Sequence, residues 1–259
     1  MTNFVIGAQM YSVRDRCQNA GDMLAALGAI KAMGYNTCQL SGYNQDIAPE
    51  QVAGMLRASG VTCCATHVPF ERMEDDFDRL VRQHKMWGCA YPGIGGLPAA
   101  YRGSEEGYRE FARRANAISK KLLDHGMKFL YHNHAFEFYR FPGSRVSGME
   151  ILLNEAGEGF TFELDLFWVQ AGGADPIDWI EKVAGRMDVV HLKEMNGSEK
   201  PPLMAPMGEG NMNWPRILAA LDSIGVQYGL VEQDNAVEGD SLDCMARSRA
   251  YLAGIGGRF

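Results

Sequence analysis

Long apolar runs are missing from this sequence. No stretch approaches the roughly 20 apolar residues that a membrane-spanning helix requires. The first residues, MTNFVIGAQMYSVRD, include neither a basic segment nor a long apolar one. The six cysteines, at positions 17, 38, 63, 64, 89 and 244, form no CxxC pair. We therefore expect no signal peptide and reduced thiols in a cytoplasmic protein.

Positive charge is also scarce. The chain has 25 Lys and Arg residues against 32 Asp and Glu residues, so its formal net charge is −7. This balance disfavours nucleic acid or an anionic membrane as a partner. No linker or low-complexity segment divides the 259 residues. We expect one large domain over residues 1–259, and the sequence leaves a homo-oligomer open.

A short apolar run, a polar loop and a helical segment follow one another eight times. The helical segments repeat apolar residues at i, i+3 and i+4, and four of them end in a glycine: Gly34, Gly60, Gly88 and Gly126. The apolar runs are FVIGAQ (4–9), TCQLS (37–41), TCCATH (62–67), CAYPGIG (89–95), KFLYHNH (128–134), FTFELDL (160–166), MDVVHLK (187–193) and YGLVEQ (228–233).

Alternating strands and helices indicate a parallel sheet with helical crossovers. Eight such units in about 250 residues are typical of a single (β/α)8 TIM barrel. A doubly wound open sheet is the alternative, but the first predicted strand lacks the GxGxxG loop of the dinucleotide-binding form. The Pro, Gly and Ser content of EMNGSEKPPLMAPMGEGNM (194–212) argues against regular structure there.

Ionisable residues collect at the ends of the last four predicted strands. A TIM barrel brings its strand ends to one mouth, where active sites lie. These residues would therefore surround one axis. A mixture of carboxylates and imidazole suits a divalent cation such as Mn²⁺, Co²⁺, Mg²⁺ or Zn²⁺. The residues are His132, His134, Glu137, Glu163, Asp165, His191, Lys193, Glu194, Glu232 and Asp234.

Each of these residues also has a structural interpretation. His191 alone could be a hydrogen-bonded core residue, and Asp165 alone could cap a helix. Glu163 and Asp165 share one face, so that one could be a ligand and the other its partner. The occurrence on four successive strand ends favours a site. His67 ends the third strand and could line the same mouth, whereas His84 and His125 lie in helical segments and are expected at the surface.

The sequence resembles the sugar phosphate isomerase/epimerase proteins of the xylose-isomerase-like TIM barrel superfamily. The motifs that carry the resemblance are YHNHAFEF, ELDLFWVQAGGADP, HLKEM, GEGNMNW and LVEQDN. They occur in the family's order, and the similarity covers essentially the whole chain. Members include xylose isomerase, ketose 3-epimerases, inosose dehydratase, hydroxypyruvate isomerase and endonuclease IV.

The resemblance implies one divalent metal held by Glu137, Asp165, His191 and Glu232. The first of these departs from the ketose epimerase pattern, since the register that holds the ligand there falls on Tyr131 or His132 here. His132 or His134 could therefore supply the ligand or the base.

We expect Glu137, Glu232 and His134 to transfer protons. We expect His67, His132, Lys193 and Trp168 to contact the substrate.

The implied activity is that of a metal-dependent sugar isomerase or epimerase. Such an enzyme moves a proton next to a carbonyl through an enediolate. A dehydratase or lyase acting on an inosose or a 3-keto-glycoside is the first alternative, because it uses the same metal site. A non-catalytic sugar-binding barrel is the second. A phosphodiesterase of the endonuclease IV type is disfavoured by the negative net charge.

Overall fold

Eight parallel strands close into a barrel in the computed structural model, which describes residues 1–198, 202–236 and 239–259. Each strand pairs with the next one along the chain, and the last pairs with the first. The predicted TIM barrel is therefore confirmed, and closure excludes the open sheet. The barrel strands are β1 (Val5–Gln9), β2 (Thr37–Leu40), β3 (Thr62–His67), β4 (Tyr91–Ile94), β5 (Phe129–His132), β6 (Phe160–Asp165), β7 (Val189–Leu192) and β10 (Tyr228–Val231).

Helices surround the barrel, and several end where glycine permits a left-handed backbone. Gly34, Gly60 and Gly88 have φ of 99°, 68° and 68° at the C-caps of the first, second and fourth helices. Gly126 also has a positive φ, of 71°, but lies two residues beyond the C-cap of its helix. The helices are α1 (Ala20–Met33), α2 (Pro49–Ser59), α3 (Phe70–Asp75), α4 (Phe77–Trp87), α5 (Glu105–Leu123), α6 (Gly148–Glu155), α7 (Leu166–Ala171), α8 (Pro176–Lys182), α9 (Trp214–Ile224) and α10 (Ser241–Gly254). No helix in these described residues is long and apolar enough to cross a membrane.

Strand alternation divides the interior into two cores. Residues on the outward face of the strands, such as Phe162 and Leu164, pack against the helices. The inward face begins with an apolar floor that includes Tyr91, Leu130 and Leu230. All six cysteines are buried and none forms a disulfide, and the neighbours Cys63 and Cys64 belong to different cores. Polar side chains occupy the inward face above this floor.

The segment after β7 contains regular structure that its composition did not predict. Strands β8 (Glu194–Asn196) and β9 (Leu203–Ala205) form an antiparallel pair, while residues 199–201 between them lie outside the described residues. The buried carboxylate of Glu194 accepts hydrogen bonds from the backbone nitrogens of Gly208 and Met212 and from the indole of Trp214. This carboxylate ties the segment to the start of α9, so the expectation of irregular structure was wrong.

The expectation for His84 was also wrong. Its side chain is fully buried on α4, where one ring nitrogen lies 2.7 Å from Thr66 Oγ1 and the other 2.7 Å from the carbonyl oxygen of Leu80. Burial lowers the pKa of His84 to about 4, so the ring is neutral. His125 is exposed, as expected.

Candidate metal centre at the barrel mouth

Four strand ends bring ligand-type side chains to one point above the apolar floor. His132 ends β5, Asp165 ends β6, His191 lies in β7, and Glu232 follows β10. All four side chains are buried, and each offers one ligand atom within 4.8 Å of the others. The barrel thus places three of the four predicted metal ligands together, with His132 as the fourth. We call these four residues the outer cluster.

Two residues of the outer cluster have buried polar atoms without hydrogen-bond partners. Asp165 Oδ2 lies 3.4 Å from His132 Nε2 and 3.8 Å from His191 Nδ1, but neither contact has hydrogen-bond geometry. Both ring nitrogens of His132 also lack a partner. Unsatisfied buried polar atoms are costly. A divalent cation would satisfy these atoms, and the carboxylate and imidazole donors are of the type that such cations accept.

Asp165 is held by two further contacts. Its Oδ1 accepts a hydrogen bond of 3.1 Å from the backbone nitrogen of Trp168, which makes it the N-cap of α7. The amide of Asn133 binds both the backbone nitrogen and the carbonyl oxygen of Asp165. The two interpretations of Asp165 are therefore compatible: one oxygen caps the helix while the other faces the cluster. Asn133 lies within the YHNH motif, but its role was not predicted.

Lys193 supplies a positive charge beside the cluster. Its Nζ lies 3.4 Å from Asp165 Oδ2, 3.2 Å from Glu232 Oε2 and 2.7 Å from Asp234 Oδ2. Burial opposes ionisation of Glu232, but Lys193 and His191 outweigh it and hold the pKa of this carboxyl well below its usual range. For Asp234, burial and the charge of Glu232 prevail and raise the pKa to about 6. Lys193 therefore offsets part of the repulsion among the carboxylates.

Glu137 does not join the outer cluster. The chain turns after β5 into a short 3₁₀ segment, Phe136–Phe138, in which the Glu137 side chain is fully buried. Its carboxylate accepts hydrogen bonds of 2.9 Å from the Tyr131 hydroxyl and from the backbone nitrogen of His134. Burial raises the pKa of Glu137 to about 7. This geometry corrects the predicted ligand set, since His132 lies where Glu137 was expected.

A second polar layer lies directly beneath the outer cluster. Gln39 Nε2 donates to both carboxylate oxygens of Glu163, at 2.9 and 3.1 Å, and Glu163 Oε2 lies 2.6 Å from His67 Nε2. Gln39 Oε1 lies 2.7 Å from His191 Nε2 and also accepts from Gln9. We call Gln9, Gln39, Glu163 and His67 the inner layer. Glu163 therefore bonds to residues beneath the outer cluster and is not one of its four members. No sequence pattern indicated the role of Gln39.

Comparison with known proteins places the chain in a family. The sequence model of the xylose isomerase-like TIM barrel family matches residues 27–245. The chain belongs to this family. No curated protein matches the sequence significantly.

Solved structures with the same xylose isomerase-like barrel confirm the fold. A sugar phosphate isomerase/epimerase from Parabacteroides distasonis superimposes with a TM-score of 0.80 at 23% identity, over 97% of this chain and 94% of that one. A barrel from Mycobacterium smegmatis, determined in complex with magnesium, gives 0.73 at 15% identity, over 98% and 96%. An L-ribulose 3-epimerase gives 0.74 at 14% identity, over 97% and 94%. At such identities the likeness shows the fold alone.

A cavity of about 210 Å³ opens above the outer cluster. It is lined by two residues of the outer cluster and by all four residues predicted to contact a substrate. His134 stacks nearly parallel on Phe136 and approaches Trp168, with ring centroids 5.4 Å apart. The lining residues are Tyr11, Ser41, His67, Gly95, His132, His134, Trp168, Lys193, Glu232 and Asp234.

Proposed function

We propose that this barrel is a divalent-metal-dependent isomerase or epimerase of a sugar or sugar derivative. The observation that carries the proposal is the convergence of His132, Asp165, His191 and Glu232, with a buried oxygen of Asp165 left without a hydrogen bond. The neighbouring sugar phosphate isomerase/epimerase and L-ribulose 3-epimerase structures support the reaction class. A bound metal would polarise a substrate carbonyl and so acidify the adjacent C–H bond.

Glu232 is the carboxylate of the cluster that we assign to proton transfer. It lines the cavity and keeps 6% of its surface exposed, whereas Asp165 has none. Lys193 and His191 keep Glu232 in the carboxylate form that a base requires, although burial opposes it. The same two charges lower its proton affinity, so a metal would have to acidify the substrate C–H bond for the transfer to occur. Asp234 and Lys193 border the same cavity, and the Lys193 ammonium is placed to hold a substrate oxygen.

His134 is the second proton-transfer group that we assign. Burial and the neighbouring His132 lower the pKa of His134 to about 3, so its ring is neutral. Its Nδ1 is buried without a hydrogen-bond partner among the described residues, and the His134 side chain lines the cavity. His67, His132 and Trp168 complete the walls, where the indole offers an apolar face for a sugar ring.

The proposal is tested with keto-sugars and keto-glycosides in D₂O after reconstitution with Mn²⁺. We expect about one metal ion per chain and deuterium incorporation next to the carbonyl. Return of the proton to the neighbouring carbon would identify an isomerase, and its return to the opposite face would identify an epimerase. Loss of water or of an alcohol would instead establish a dehydratase or lyase on the same site. Metal stoichiometry near zero would reject the metal site.

Glu232→Gln separates a chemical role from a structural one. It keeps the shape of the side chain but removes the charge, so deuterium incorporation should fall at least about 10²-fold. The melting temperature of the metal-free protein should change little, because no core volume is lost. Glu209→Gln is the matched control, since Glu209 is exposed and paired with Arg247 outside the mouth. Equal activity of the two variants would remove Glu232 from the mechanism.

A further inference from the structure

The inner layer carries a chain of hydrogen bonds whose directions can be determined. Such a chain is informative because an amide side chain has a donor end and an acceptor end, and the wrong orientation leaves both unsatisfied. Gln9, Gln39, Glu163 and His191 are each fully buried. Water therefore cannot substitute for a lost partner.

The direction of this hydrogen-bond chain is set first by the backbone nitrogen of Tyr11. Gln9 Oε1 accepts a hydrogen bond of 3.1 Å from the backbone nitrogen of Tyr11. A backbone N–H can only donate, so the oxygen of the Gln9 amide is fixed on this side. Its Nε2 consequently points to Gln39 and donates to Gln39 Oε1.

The carboxylate of Glu163 fixes the same orientation from the other end. Both of its oxygens accept from Gln39 Nε2. A single nitrogen that contacts both oxygens of a carboxylate is a donor, so the NH₂ end of the Gln39 amide faces Glu163. The amide of Gln39 is thus oriented independently by Gln9 and by Glu163.

The orientation of Gln39 determines which nitrogen of His191 keeps its proton. Gln39 Oε1 lies 2.7 Å from His191 Nε2, and an amide oxygen can only accept. The Gln9 amide nitrogen also lies 3.4 Å from this Nε2, but Gln39 Oε1 is closer, and Glu163 Oε1, which also accepts, is 3.2 Å away. His191 Nε2 therefore carries a hydrogen. The other nitrogen, Nδ1, lies 2.9 Å from Glu232 Oε2 and faces Asp165. A neutral histidine binds a metal through its unprotonated nitrogen, which its second hydrogen bond selects.

We propose that Gln9, Gln39 and Glu163 are positioning residues that keep the proton of His191 on Nε2, so that Nδ1 binds the metal. This inference rests on the proposed metal site and assigns its atom-level geometry. It separates the outer cluster from the competing group of His67, Glu163 and His191, whose ligand atoms also converge. A metal in that second group would bind Nε2 and displace Gln39.

The experiment is a long-range ¹H–¹⁵N correlation spectrum of histidine-labelled protein with and without Zn²⁺, a diamagnetic probe. In the Zn²⁺-loaded wild type we expect His191 to retain a slowly exchanging hydrogen on Nε2 and to show a metal-shifted Nδ1. A hydrogen on Nδ1 with Zn²⁺ on Nε2 would overturn the inference while leaving a metal site. Absence of Zn²⁺ binding in the wild type would reject the proposed function itself.

Gln39→Met tests the link between the inner layer and metal affinity. It keeps the length of the side chain but removes the acceptor for His191 and the donor for Glu163. We expect the Kd for Zn²⁺ to rise about 10- to 100-fold, the usual range for a residue that orients a ligand. The Nε2 hydrogen of His191 should exchange faster. An unchanged Kd and an unchanged spectrum would contradict the proposal.

Two further variants guard against a general folding defect. Gln83→Met is the matched control, because Gln83 is also a buried glutamine but bonds Arg72 on the outside of the barrel. It should leave the Kd and the His191 spectrum unchanged. Gln9→Met interrupts the hydrogen-bond chain one residue further from His191. It should therefore weaken Zn²⁺ binding less than Gln39→Met does. If Gln39→Met does not fold, Gln9→Met and the wild-type spectrum still decide between the two nitrogens.

Discussion

The inner layer and the outer cluster are neighbouring layers of the barrel mouth, two residues apart on β6 where Glu163 and Asp165 lie, but they differ in how many of their buried polar atoms have hydrogen-bond partners. Within the described residues, every buried polar side-chain atom of Gln9, Gln39 and Glu163 has a hydrogen-bond partner. One layer higher, Asp165 Oδ2 and both nitrogens of His132 have none. Since burial of an unpaired polar group is unfavourable, the inner layer is complete as folded and the outer cluster is built for an additional partner.

His191 joins the two regions. Its Nε2 contacts Gln39 of the inner layer, and its Nδ1 contacts Glu232 of the outer cluster. Burial lowers the basicity of such a ring, but the carboxylates of Glu163 and Glu232 outweigh it and raise the pKa of His191 well above its usual range. In the metal-free protein this histidine is therefore positively charged, and a metal has to displace the hydrogen on its Nδ1.

The largest expected effect concerns the cation beside the outer cluster. Lys193→Met leaves Asp165, Glu232 and Asp234 without their shared ammonium group. Breaking a buried ion pair on one side typically costs about 3–5 kcal/mol. We expect the free energy of unfolding of the metal-free protein to fall by that amount in urea, and Mn²⁺ to stabilise the variant more than the wild type.

Lys182→Met serves as the control for this prediction. Lys182 also pairs with an aspartate, Asp178 at 2.6 Å, but on the exposed surface of α8. Such pairs contribute about 0–1 kcal/mol. If both lysine variants lost the same stability, the outer cluster would not depend on an internal cation, and the contrast between the two layers would lose its electrostatic basis.

A smaller effect is expected when one ligand loses its charge. Asp165→Asn retains an oxygen that can cap α7 but removes the carboxylate that faces the cluster. We expect the affinity for Mn²⁺, measured by calorimetry, to fall at least about 10²-fold, beyond the usual cost of changing a residue that only orients a ligand. Asp175→Asn changes the N-cap of α8 in the same way, outside the mouth, and should leave the affinity intact. Unchanged Mn²⁺ affinity in Asp165→Asn would show that Asp165 Oδ2 is not needed to bind the metal.

The sequence predicted the barrel because its determinants are local and repeated. Eight apolar runs, the glycines that end helices and the length of each unit specify the fold. It also predicted that Asp165, His191 and Glu232 converge, because parallel strands of a barrel end at one mouth.

The remaining features depend on side-chain directions, which a sequence pattern does not specify. A single 3₁₀ turn decides that His132 rather than Glu137 faces the cluster. The role of Gln39 requires partners from three other strands, and neutral amides give no motif. The segment that holds the antiparallel pair of β8 and β9 depends on Glu194, a residue that the sequence pattern groups with the site.

The smallest effect that we predict concerns Glu137, a buried carboxyl that belongs to neither region. Burial raises its pKa from 4.5 to about 7 in the folded protein. The folded state thus binds more protons than the unfolded state between these values, so this group's contribution to stability is complete below pH 4.5 and is lost as the pH rises through 7. Linkage gives a loss of about 2 kcal/mol between pH 5 and 7. Glu137→Gln should remove this dependence. The difference between the unfolding free energies of the wild type and the variant, measured in urea with a chelator present, should therefore change by about 2 kcal/mol between pH 5 and 7. Glu158→Gln, at an exposed position, should leave the wild-type profile unchanged. Parallel profiles for the wild type and Glu137→Gln would mean that Glu137 remains ionised in the folded protein. It would then again be a candidate metal ligand.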